Sequence, residues 1–159
     1  FYTRETRDMK LFFELIAAFF ATAAFCAIFN TPKKQWIFGG LTGSIGWLIY
    51  RLFSMRWDIV AGSFAAAVAI MLLARIFAVW RKTPTTIFLV AGIIPIVPGV
   101  GIYDTTYALF MNELQEAFGK GMETLKIAVA FSRGIMFVFL IPQTIFVQAA
   151  AFLKGKGRR

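Results

Sequence analysis

The residues best placed to do chemistry stand in one short string, Ile94-Pro95-Ile96-Val97-Pro98-Gly99-Val100-Gly101, followed at once by Tyr103, Asp104, Thr105 and Thr106. Pro95 and Pro98 each lack a backbone N–H and clash with the preceding turn, and Gly99 and Gly101 lower helix propensity further. Together they predict a break in an otherwise apolar helix. If the break lies in hydrocarbon, its freed carbonyls and amides are costly unless protein or a water-filled cavity covers them. Transporters place substrate sites at such broken helices, because half-helix ends offer dipoles and backbone groups. The other reading is a loop at the membrane surface joining two short helices. Against it, Thr85 to Ile94 is too short to span, and apolar residues continue on both sides.

The side chains after the break add hydroxyls and one carboxylate. A carboxylate at membrane depth is costly and marks function by default. Burial favours its protonated form, which makes Asp104 a candidate for proton coupling. An interfacial or helix-capping Asp104 is the plainer alternative. Arg133, in the apolar stretch Ile127 to Met136, either pairs with Asp104, holds a substrate carboxylate, or lies at the interface. Gln143, beside Pro142, offers amide hydrogen bonds to a substrate or to a neighbouring helix. The candidate substrate-binding set is therefore Pro95, Pro98, Gly99, Gly101, Tyr103, Thr105, Thr106, Arg133 and Gln143.

Other chemistries lack their residues. The chain has no histidine and one cysteine, Cys26. That argues against a zinc site, excludes histidine-based triads and leaves no intrachain disulfide. No cofactor is implied, and an enzyme is the weakest of the functional classes.

The elements that position these residues read as membrane helices. Of the 159 residues, 59% are hydrophobic and 16% charged, against roughly 25% charged in a soluble domain. A crossing helix needs about 20 apolar residues. Runs at 11–29, 36–53, 59–80, 85–111 and 127–153 approach that length, and 113–126 reads as an amphipathic segment. The first run is too long for a signal-peptide core. The expected fold is all-α: one transmembrane domain over 1–159 with about five spans, the fourth broken at the Pro-Gly motif. Gly39 and Gly43 form a G-x-x-x-G pattern suited to close helix packing, or to lining a path. Arg75, near the end of the third run, is expected to snorkel to the headgroups. The net charge of +9 reads as Lys and Arg flanking helices and facing anionic lipid, not as a nucleic-acid face.

At this point a family resemblance emerges. Ala91-Gly92-Ile93-Ile94-Pro95-Ile96-Val97-Pro98-Gly99-Val100-Gly101-Ile102-Tyr103 resembles the P-x-x-P-G…Y signature of the threonine/serine exporter family, in its small five-helix half. Gly119-Lys120-Gly121-Met122-Glu123-Thr124-Leu125-Lys126-Ile127-Ala128 resembles the G-x-E-T-x-x-I-A segment that opens its last helix. The likeness runs over about 35–153 and implies one half of a ten-helix unit. It implies export of threonine and serine, or of succinate, driven by the proton motive force across the bacterial inner membrane. The implied partners are membrane lipid, the small-molecule substrate, and a homologous second subunit or a further copy of this chain. Pro95, Pro98, Gly99 and Tyr103 match the motif, whereas Asp104 and Arg133 stand where neutral residues are expected. A non-transporting assembly subunit and a passive channel are the rival expectations.

Overall fold

The computed structural model describes the backbone of residues 2–148 and the side chains of 9–148. The described residues are helical throughout, with no strand. Helix α1 spans Tyr2–Ile28, α2 Trp36–Arg56, α3 Ile59–Arg81, α4 Thr85–Ile93, α5 Gly99–Phe110 and α6 Leu114–Phe139. Short 3-10 turns occupy Lys33–Gln35 and Ile94–Ile96, and residues 143–148 are again helical.

Local chemistry sets the boundaries. Asn30, Lys82 and Asn112 adopt left-handed backbone with φ of 55°, 54° and 61°. After each, the next amide reaches back five residues, Thr31 to the Cys26 carbonyl, Thr83 to Ala78 and Glu113 to Ala108, at 2.9, 3.0 and 2.9 Å. These wide turns satisfy carbonyls that a helix end leaves unpaired. Pro32 and Pro84 then stop any continuation. Asp58 caps α3, its carboxylate accepting the Ile59 amide at 2.7 Å.

Helix α3 is the hub, packing against α2, α4 and α6, while α1 lies on α2, and α5 packs chiefly on α6. Small residues set these distances. Gly39 and Gly43 of α2 face Cys26 and Thr22 of α1 with no room for a Cβ, so the G-x-x-x-G pattern is a packing face. A Cβ at Gly134 of α6 would fall 2.7 Å from the Phe64 carbonyl oxygen of α3.

Two helices, Met9–Ile28 and Ile59–Arg81, are long and apolar enough to cross a membrane; α4 and α5 count as a third if their bent pair is one span. The glycines of α2 and the charges at the start of α6 leave those helices outside the set. The segment 113–126 and the final run do not form separate elements. Leu114–Phe139 is one continuous helix, because only glycines interrupt the pattern there and proline first appears at Pro142. The rest of the expected final span, 149–153, lies outside the described residues.

Arg75 does not reach for the headgroups. It is 8% exposed. Its guanidinium donates to the carbonyls of Ile141 and of Phe139, the latter at 3.1 Å. The rings of Phe139 and Phe146 each lie 5.3 Å from its central carbon. Pro142 ends α6, and the carbonyls left there sit at the negative end of the helix dipole. A buried cation with a fan of donors satisfies both needs, which overrides snorkelling. Arg75→Met should keep the volume and orphan both carbonyls. We expect a loss of about 3 kcal/mol, read from the unfolding midpoint of purified protein in detergent, and Arg75→Lys should recover only part of it.

Candidate functional site

Helices α4 and α5 meet at 51° across the break. The proline pattern explains the geometry. Val97, which precedes Pro98, leaves the helical region at φ −56°, ψ 130°, as steric conflict with the proline ring requires. The interruption is tight. The Val97 amide donates to the Ile93 carbonyl at 3.1 Å, Gly99 to Val97 at 2.7 Å and Ile102 to Pro98 at 3.1 Å. Ile96 anchors the turn, buried with Ala66, Ala67, Ile70 and Phe131. Ile70 is the central residue of α3, and Gly46 of α2 makes room for the Ile70 and Ile96 side chains.

A cleft of about 420 Å³ opens beside this turn. Its walls are the chain from Pro95 to Gly101, Asp104 of α5, Lys120, Glu123 and Thr124 of α6, Ser63 of α3, and Trp47 and Tyr50 of α2. No side chain caps the first turn of α5, so the positive end of that helix faces the cleft. Its polar mouth is charged: the Lys120 ammonium lies 4.0 Å from Asp104 and 2.7 Å from Glu116. A second hollow, at the α5–α6 turn, is lined only by Glu113 to Glu116 and touches no part of the break.

Trp47 ties the cleft wall to α1. Its ring nitrogen donates to Glu14 at 3.1 Å, Arg51 pairs with the same carboxylate oxygen at 2.9 Å, and Tyr50 packs on the Trp47 ring with centroids 5.4 Å apart.

Of the residues singled out in the sequence, Pro95, Pro98, Gly99, Gly101 and Asp104 line the cleft. The others do not, and helical periodicity gives the reason. Gly101, Asp104, Thr105 and Ala108 recur at the spacing of one α5 face, the face turned to α6. Tyr103, Thr106 and Tyr107 fall on the opposite face. Tyr103 is 67% exposed and stacks on Tyr107 at 6.2 Å. Thr105 packs against Gly121, and its hydroxyl donates to the Gly101 carbonyl at 2.6 Å; that of Thr106 donates to Ile102 at 2.8 Å. Arg133 lines a different groove, with Val60 and Lys126. An Asp104–Arg133 pair therefore does not form; Asp104 has Lys120 instead. Gln143 is exposed beyond the end of α6.

Lys120, Glu123 and Thr124 are the cleft residues that pattern reading passed over. They look like the solvated stripe of an amphipathic segment. The available signal was that this polar stripe follows the break by one hairpin.

Helices α5 and α6 interlock through glycine and threonine. A Cβ at Gly101 would overlap the Thr124 hydroxyl, one at Gly121 would sit 3.2 Å from Thr105 Cγ2, and Gly99 has nothing within 4 Å. Gly101→Ala should therefore force the hairpin apart and cost about 1–3 kcal/mol. Gly99→Ala should change stability by less than about 0.5 kcal/mol. Thermal unfolding of the two variants side by side checks the contrast.

A family model described as "Threonine/Serine exporter, ThrE" matches residues 14–141. No curated protein and no solved structure matches the chain.

Proposed function

The chain belongs to the threonine/serine exporter family, a family of transporters rather than enzymes, and from that premise we propose that it is one subunit of a proton-coupled secondary transporter whose substrate path passes the cleft at the α4–α5 break. The observation that carries the proposal is the position of the break. Ile96 packs on Ile70, the midpoint of a helix long and apolar enough to cross the bilayer, which supports a reading in which the break lies at membrane depth beside the cleft. In this reading α1, α2, α3, α4–α5 and α6 are five crossings of the bacterial inner membrane. A homologous five-helix partner, inserted the other way up, completes the unit.

The lining favours a zwitterion over a dicarboxylate. The uncapped start of α5 and Lys120 attract a carboxylate. Asp104 and Glu123 attract an ammonium, and the hydroxyls of Ser63 and Thr124 suit a small hydroxylated side chain. Succinate would meet two carboxylates and a single lysine that Glu116 already holds. Threonine and serine therefore fit better than succinate. Asp104 stands between the break and Lys120 and is the proposed proton carrier. Proton binding there removes the attraction for the substrate ammonium and for Lys120 together.

The test is flux in vesicles containing this chain and its partner half. An imposed proton gradient should drive threonine or serine, with succinate a weak competitor. Asp104→Asn should cut flux at least about tenfold, the value of one charged hydrogen bond, and flatten its pH dependence. An Asn variant with the parent's pH profile removes Asp104 from the mechanism. Flux that ignores the proton gradient points to a channel, and no flux from folded protein points to an assembly role.

A further inference from the structure

We propose that a groove between the start of α3 and the outer face of α6 binds the headgroup of an anionic phospholipid through Lys126 and Arg133. The groove encloses about 300 Å³ and is lined by Val60, Met122, Leu125, Lys126, Val129, Ala130 and Arg133. Met122, Lys126, Val129 and Arg133 recur at intervals of four, three and four, one stripe of the helix. Two cations about 10 Å apart along the axis thus alternate with apolar side chains. That is the pattern of a phosphate group held over an acyl chain.

The four cations that are buried or half-buried among the described residues all have partners. Arg51 has Glu14, Lys120 has Glu116, Arg75 has two carbonyls and Arg81 donates to Gln35 at 2.9 Å. Lys126 and Arg133 make no ion pair among the described residues. Both are exposed. The helix backbone at Arg133 is held against α3, because a Cβ at the adjacent Gly134 would meet the α3 backbone. Its side chain leans toward the helix N-terminus, the side of Lys126, and an arginine in an apolar stretch is stabilised by an anion. Neither residue lines the cleft, so substrate does not supply one, whereas the anionic lipids around the helix do. A lipid seated there also bridges α3 and α6.

The experiment uses the full chain purified in an uncharged detergent. Phosphatidylglycerol should raise the unfolding temperature, as any ligand of the folded state does, whereas phosphatidylcholine and inorganic phosphate should not. Replacing both cations, Lys126→Gln with Arg133→Gln, should weaken the phosphatidylglycerol response about thirtyfold in lipid concentration, roughly fivefold for each surface cation. Arg56→Gln, an exposed cation outside the groove, should leave it unchanged. The proposal is overturned by a double variant that responds like the parent, by an equal response to phosphatidylcholine, or by equal loss in Arg56→Gln. An equal response to inorganic phosphate overturns the lipid source. Should the double variant fail to fold, photoreactive phosphatidylglycerol on the unchanged chain decides. Cross-links within 122–133 or at Val60 support the site, and cross-links confined to other segments overturn it.

Discussion

A helix end removed from water must find partners for its carbonyls inside the protein, and this constraint organises the molecule at two places. At the break between α4 and α5, the chain tightens rather than opens: the amides of Val97, Gly99 and Ile102 close short loops at 3.1, 2.7 and 3.1 Å. At the end of α6, where Pro142 forbids further helix, Arg75 reaches across from α3 to take the carbonyls of Phe139 and Ile141. An unpartnered carbonyl in hydrocarbon costs several times the net value of an ordinary hydrogen bond. Proline is tolerable at either place only because a specific donor set answers it.

The second of these contacts governs the first site at a distance. Arg75 and Gly134 fix how far α6 slides along α3. That register decides which α6 residues stand opposite α5. With it, Thr124 meets Gly101 and Lys120 comes within 4.0 Å of Asp104. A shift of one helical turn, about 5.4 Å, would leave Asp104 facing Glu116 or Thr124. The cleft's mixed charge thus depends on a guanidinium of α3 that binds the far end of α6.

Much of the fold is legible in the chain because the strongest local signals are unambiguous. Pro32 and Pro84 end helices where they must, and the string from Pro95 to Gly101 interrupts one. What escaped were features set by pairing between helices. Arg75 reads as a snorkelling cation, since nothing nearby in sequence reveals that α6 will end beside it. Tyr103 and Thr106 read as site residues because they adjoin Asp104, but successive residues on a helix point about 100° apart and these two lie on the other face, while Thr105 shares the Asp104 face and packs on Gly121. Arg133 and Asp104 are plausible partners by charge alone. The register that parts them is written in Gly134, Ala67 and Phe64, small and apolar residues that carry no chemical flag.

The cleft is built on one side only. Helix α5 packs chiefly on α6, and its other face presents Tyr103, Tyr107 and Phe110, the last 85% exposed. A substrate in the cleft would rest against α6, the break and α2 with its remaining side open. Under the proposed five crossings the two chain ends lie on opposite sides of the bilayer, so a second copy in the same orientation would bring its own break to the same depth and the same side. A homologous half inserted in the reverse sense brings its break to the same depth with its cleft facing the other compartment. Two clefts related in that way can be open alternately to the two compartments. The one-sidedness of the cleft thus suits the proposed half-transporter, whose second half would close it.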